Sequence, residues 1–140
     1  MKIFVATSFS SQIDYSTGQV SSQFMDFLKS QLDVLDQFGE TFSAVRDDNH
    51  LLNQTTPEEA FRLDMDKIKE FDVLVAFLGE KVSAGVQTEI GIALAFDKKV
   101  LLATTDDVEL GYFNKAILRA GAATKVALPL DTDELRNILN

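Results

Sequence analysis

Residues 73–104 read VLVAFLGEKVSAGVQTEIGIALAFDKKVLLAT, and this stretch decides the fold. Val73 to Leu78 is apolar throughout, as expected of a central strand covered on both faces by helices. Gly79 to Gly85 is a loop. From Val86 to Asp97 the residues Ile90, Ala93, Leu94 and Phe96 fall on one helical face, and Val100 to Thr104 is a second apolar, strand-like run. Strand, helix and strand in this order predict two parallel strands joined by a right-handed crossover.

The same alternation extends in both directions. Ile3 to Ala6 is a short apolar run that ends in Thr7-Ser8-Phe9-Ser10-Ser11, the pattern of a buried strand entering a loop. From Thr17 to Phe38, Val20, Phe24, Phe27, Leu28, Leu32, Leu35 and Phe38 recur at helical spacing, and Gly39 stands where a helix stop is expected. Thr41 to Val45 predicts a second strand, and Arg46 to Thr55 a polar loop. Thr56-Pro57-Glu58-Glu59 carries a capping threonine, a proline suited to the first helical position and a glutamate that completes a capping box. That helix should run to about Phe71. Tyr112 to Ala120 predicts a short helix, Lys125 to Leu128 a last strand and Thr132 to Leu139 a terminal helix. The expected architecture is a single α/β domain over residues 1–140. It is a three-layer sandwich with a five-stranded parallel sheet, flavodoxin/Rossmann-like, in which ligands bind where strands end and helices begin.

Composition narrows the chemistry. The chain has 140 residues, 46% hydrophobic and 25% charged, an ordinary globular balance. No apolar run approaches the roughly 20 residues of a membrane span, and Met1-Lys2-Ile3-Phe4-Val5 lacks the shape of a signal peptide, so a cytoplasmic protein is expected. Cysteine is absent and His50 is the one histidine, which excludes disulfides and thiolate zinc and argues against a histidine-rich metal site; no metal or other cofactor is expected. His50 itself, in a polar loop, is expected to be an exposed residue. With a net charge of -9 and 13 scattered Lys and Arg, the chain is not expected to bind a nucleic acid polymer, which calls for a basic stripe. A small-molecule nucleoside or nucleotide stays open, because one phosphate needs only a few N–H groups and hydroxyls.

Three loops should converge at the carboxyl edge of the sheet: Thr7 to Ser11, Gly79 to Glu89, and the segment after Thr104. In the middle one, Ser83-Ala84-Gly85 forms a small turn before a helix, where N–H groups and the Ser83 hydroxyl can meet an anion. Glu89 is placed in the first helical turn with its carboxylate toward the pocket. Spacing alone leaves an alternative, since the helix dipole also favours a glutamate there. Asp64 and Asp66, on the preceding helix, are each placed to pair with Glu89 or to be solvated surface. Two carboxylates at one carbon would suit attack at a sugar C1′. Tyr15, near the first loop, is a further candidate for contact with a base or sugar.

Lys2 to Ser11, Asp64 to Asp72, Ser83 to Val100 and Asn114 to Arg119 together resemble the nucleoside 2-deoxyribosyltransferase superfamily, including its branch of 2′-deoxynucleoside 5′-phosphate N-hydrolases. The most specific stretch is Gly85 to Val100, similar to the pattern Gly-x-x-x-Glu-(Ile/Leu)-Gly-x-Ala-x-Ala-x-x-Lys-x-Val. The resemblance implies that Glu89 is a nucleophile forming a covalent deoxyribosyl-enzyme and that Asp64 assists the base and sugar. Ser83 stands where the transferases have a second aspartate, as in the hydrolases, whose serine meets the 5′-phosphate. It also implies that Asn114 is lent to a neighbouring subunit, giving a homodimer or larger homo-oligomer with shared sites. Where the hydrolases carry a first-strand tyrosine and a loop arginine, this chain has Phe4 and Ser10, so phosphate binding would rest on Ser8, Ser10, Ser11, Ser83 and N–H groups near Gly85. The expected activity is hydrolysis of the N-glycosidic bond of a 2′-deoxynucleoside 5′-monophosphate. The alternatives are base exchange by a deoxyribosyltransferase and a non-catalytic nucleotide-binding module.

Overall fold

The computed structural model describes residues 1–8, 13–14, 19–47 and 56–140. Ser10, Ser11, Tyr15, His50 and residues 48–55 of the expected polar loop lie outside the described residues. In chain order the elements are β1 (Lys2–Thr7), β2 (Ile13–Asp14), β3 (Gln19–Val20), α1 (Ser22–Leu35), β4 (Glu40–Ser43), α2 (Ala44–Asp47), α3 (Pro57–Glu70), β5 (Val73–Phe77), α4 (Ala84–Ala95), β6 (Lys99–Thr104), α5 (Tyr112–Arg119), β7 (Thr124–Ala127) and α6 (Thr132–Leu139). Five strands form one sheet in the order β4-β1-β5-β6-β7, each pair parallel. The order reverses after β1, which makes the carboxyl end of β1 and β5 the switch point where a crevice opens.

The continuous apolar strands are explained by the two cores. Ile3, Val5, Val73, Val75 and Phe77 point to one face, against α1 and α6; Phe4, Ala6, Leu74, Ala76 and Leu78 point to the other, against α3 and α4. Each fully buried large side chain contributes about 1.5–3 kcal/mol, so both faces are held chiefly by apolar burial. Phe4 is 1% exposed and packs at a tilt against Phe42 and edge-on against Phe71, with ring centroids 5.4 and 6.1 Å away. At that position the ring belongs to the packed second face.

Three sequence expectations are corrected. The long first helix does not start at Thr17: Val20 belongs to β3, paired antiparallel with β2, and the helix begins at Ser22 behind a capping Ser21 whose Oγ accepts from Phe24 N–H. Gly39 does not stop that helix, which ends at Leu35. It is a glycine because the Met1 carbonyl oxygen lies 2.1 Å from where a Cβ would stand, as Glu40 N–H donates to that same oxygen. The second strand ends at Ser43, and Ala44 to Asp47 turn into α2, held by Asp47 Oδ2 accepting from Ser43 N–H and by the Arg46 guanidinium between Asp36 and Asp47. The capping box at Thr56 and Glu59 is formed as expected.

Candidate active site

A cavity of about 520 Å³ opens over the carboxyl edge of the sheet. Thr7 and Ser8 border it from the end of β1, Gly79 and Lys81 from the loop after β5, and Thr105 from the end of β6. The three loops therefore meet. Phe24 and Phe27 of α1 close the side opposite α3, and Phe27 packs edge-on against Phe77 with centroids 6.4 Å apart.

The carboxylates lie between α3 and α4, and neither Asp64 nor Glu89 lines this cavity, so the expected direction of the Glu89 carboxylate toward the pocket is corrected: it turns into the helix seam. Asp64 lies one turn before the buried Ile68, and Glu89 one turn after the buried Val86 and one before Ala93, so helical spacing turns both toward the face on which α3 and α4 pack. The two carboxyl groups stand against each other across the seam, close enough for Asp64 to act on the titration of Glu89. Burial first, then the charge and hydrogen bond of Asp64, push the Glu89 carboxyl up to about 9. Asp66, two residues from Asp64, faces away and is exposed. Of the two aspartates read from the sequence, the structure pairs Asp64 with the glutamate.

Glu89 is not in the first turn of its helix. Ser83 is the N-cap and Ala84 the first helical residue, which puts Glu89 in the second turn and removes the helix dipole as its reason for being there. The Ser83 hydroxyl is not idle either: its Oγ accepts from Val86 N–H at 3.2 Å, leaving the hydroxyl hydrogen to donate. Gly85 is exposed in the first turn, and a Cβ there would meet nothing nearer than Ser83 Oγ at 3.9 Å. Ser8 is half-buried on the cavity wall. Asn114 is 3% exposed on α5 and is held in a reciprocal amide pair with Gln87: Gln87 Nε2 donates to Asn114 Oδ1 at 3.0 Å and Asn114 Nδ2 to Gln87 Oε1 at 3.1 Å. To serve a neighbouring subunit, that amide would first have to leave Gln87.

Sequence reading passed over Gln87, Lys81 and the Phe24–Phe27 wall. Gln87 fills a variable place in the signature, and the two phenylalanines have the same helical spacing as core residues, so only tertiary placement separates them.

A parallel sheet with a crevice at its switch point defines the doubly wound α/β class, in which such a crevice is where small ligands bind. A model of the nucleoside 2-deoxyribosyltransferase family matches residues 14–134, and the chain belongs to that family. Its chemistry is accordingly that of N-glycosidases and deoxyribosyltransferases acting on nucleosides or nucleotides. Among solved structures, the CMP N-glycosidase BcmB of Clostridium botulinum is 22% identical, with a TM-score of 0.69 over 99% of this chain and 97% of that one. BlsM is 26% identical, with a TM-score of 0.73 over 97% and 85%. A 2-deoxyribosyltransferase from the psychrotolerant bacterium Bacillus psychrosaccharolyticus is 18% identical, with a TM-score of 0.65 over 98% and 91%. These likenesses establish the flavodoxin/Rossmann-like sandwich. No match is found among curated protein sequences. Among the described residues, no helix is long and apolar enough to cross a membrane.

Proposed function

We propose that the protein hydrolyses the N-glycosidic bond of a nucleoside 5′-monophosphate, with Glu89 as nucleophile and Asp64 as proton carrier. What supports this reading is the apposition of the two carboxyl groups across the α3–α4 seam, an arrangement suited to one acid holding a proton while the other is ionised. Moving the proton across to Asp64 frees Glu89. Its oxygen then bonds to C1′ as the C1′–N bond breaks, and the Asp64 proton passes to the departing base. Water attacks C1′ of the resulting ester, the C1′–Oε bond breaks, and Asp64 takes the proton that water releases, which restores the singly protonated pair.

The monophosphate is supported by Ser83, a hydroxyl rather than a third carboxylate at the start of α4, where an anion would otherwise be repelled. One structural neighbour is itself a CMP N-glycosidase, so ribose and 2′-deoxyribose substrates belong in the same test. Purified protein and Glu89→Ala are incubated with ribo- and deoxyribonucleoside monophosphates and with the parent nucleosides, with and without acceptor bases, and free base is followed by chromatography. Base released from monophosphates by the unmutated protein alone supports hydrolysis. A new nucleoside in the presence of acceptor replaces it with base exchange, and turnover by Glu89→Ala ends the nucleophile assignment.

We further propose that the chain assembles as a homo-oligomer through α4 and the start of α5. Apolar residues surround α4 rather than occupying one stripe, yet Ala84, Gly85, Thr88, Gly91 and Ala95 are exposed, and next to them Tyr112 and Phe113 are 84% and 72% exposed. Light scattering on the eluting protein gives the mass; a monomer at micromolar concentration rejects the assembly.

A further inference from the structure

We propose that Lys81 reads the 5′-phosphate of the substrate, an inference that deepens the nucleotide reading above and rests on it. A phosphate monoester brings about 1.5–2 negative charges at neutral pH. It would enter a chain of net charge -9 and come to rest beside a carboxyl pair that already carries one. Hydroxyl groups such as Thr7 and Ser8 orient such a group but do not offset its charge. Among the described residues that line the cavity, Lys81 is the one cation. Its side chain is exposed and makes no ion pair or hydrogen bond with the described residues, whereas Arg46, Lys115 and Arg136 are each taken up by carboxylates of their own surface.

The position of Lys81 completes the case. It precedes the Ser83 cap by two residues, and Val82 and Val86, which flank that cap and the first turn of α4, line the same cavity. There Val86 N–H is satisfied by Ser83 Oγ and Gln87 N–H by Ser83 O, while the N–H groups of Ala84 and Gly85 have no partner among the described residues. Two free donors and the positive end of a 12-residue helix add to the lysine. Glu80 lines the same cavity, so without Lys81 this wall is anionic and would reject the phosphate.

The test compares kcat/KM for one nucleoside monophosphate and its parent nucleoside in the unmutated protein, Lys81→Gln and Lys81→Arg. A charge-assisted contact of this kind is worth about a tenfold to a hundredfold change. The preference for the monophosphate should fall by that factor in Lys81→Gln, through KM, and be largely kept in Lys81→Arg. An unchanged preference in Lys81→Gln overturns the assignment. If the unmutated protein cleaves nothing, the hydrolase reading fails on its own, and thermal-shift titration with the same monophosphate still decides Lys81. Weaker stabilisation of Lys81→Gln supports the contact, and equal stabilisation overturns it.

Discussion

Glu89 on α4 and Asp64 on α3 set their carboxyl groups against each other, although they stand 25 positions apart in the chain. The contact exists because α3 and α4 pack side by side on the same face of the sheet and each turns its carboxylate toward the seam. Two acids at such a distance cannot both ionise cheaply, and partial burial adds to the cost. Glu89 therefore keeps its proton well above the ordinary carboxylate range.

That proton makes stability depend on pH. Folded, Glu89 keeps it up to about 9; an ordinary glutamate releases it near 4.5. Between those values the folded chain binds more protons than the unfolded one, so the contribution of this group is fully present below about 4.5 and is lost as pH rises through about 9. Glu89→Gln cannot ionise, and its amide can still donate to Asp64. It should match the parent near pH 5 and exceed it at pH 8–9 by about 1–2 kcal/mol, a figure kept small because solvent reaches the half-buried pair. Thermal melts at both pH values check this; a variant less stable than the parent at pH 9 would contradict it.

Turnover should follow the same proton. With one proton on the pair as the working form, kcat falls as pH rises past about 9, by about tenfold per unit at the limit. Asp64→Asn keeps the contact but has no proton to give, so kcat should drop by about 10²–10⁴. The Glu89 carboxyl should also titrate lower than in the parent but still above 4.5, because desolvation, the largest cause of its shift, stays in place. A pH–rate profile and a carboxyl titration followed by NMR give both readings.

The sheet and its helices were legible because two packed faces leave an unmistakable trace, a strand such as Val73 to Leu78 that is apolar on both sides. Boundaries were less so. Val20 fits the helical spacing of α1 but is taken by β3, and Gly39 carries a signal that a helix stop and a close backbone approach share. At the site, spacing alone left Asp64 and Asp66 on equal terms and the family resemblance pointed to Asp64; the rotation of α3 turns Asp64 toward α4 and leaves Asp66 exposed. Glu89 reads as a first-turn residue until the cap is fixed at Ser83, and its place in the seam follows from its helical spacing to the buried Val86 and Ala93. Lys81 and Gln87 left no trace, since a loop lysine and a helical glutamine are ordinary surface until a cavity or an amide partner is placed against them.

The Gln87–Asn114 pair ties α4 to α5. Asn114→Ala leaves the Gln87 amide without its partner at a half-buried site, at a cost of about 1–3 kcal/mol. Gln87→Ala should cost a similar amount, and the double variant less than the sum by about 0.5–3 kcal/mol, since each single change already loses the pair. Denaturant unfolding of the four proteins tests this, and strict additivity would mean that the pair does not act as a unit.

Gly91 is exposed in the middle of α4, and a Cβ there meets nothing within 4 Å. Alanine would be favoured over glycine by about 0.5–1 kcal/mol in such a helix. If α4 meets a second copy closely, Gly91→Ala should raise the melting temperature of the dilute monomer while weakening self-association, and light scattering across a concentration series should show the mass falling. An assembly unchanged by the substitution places the contact elsewhere.

Gly85 poses the same question toward the ligand. A methyl group there touches only Ser83 Oγ at an ordinary 3.9 Å, so the fold itself does not require glycine. Its N–H, however, is one of the two free donors of the first turn, and a ligand anion that accepts from it must approach the backbone closely. Gly85→Ala is therefore expected to leave thermal stability unchanged or slightly raised and to increase KM for a monophosphate by about tenfold, a loss on the scale of one charge-assisted hydrogen bond. Parallel melts and initial-rate measurements separate the two effects. A KM that does not move would mean that the phosphate sits away from the first turn of α4, and would also weaken the case for Lys81, which depends on the same geometry.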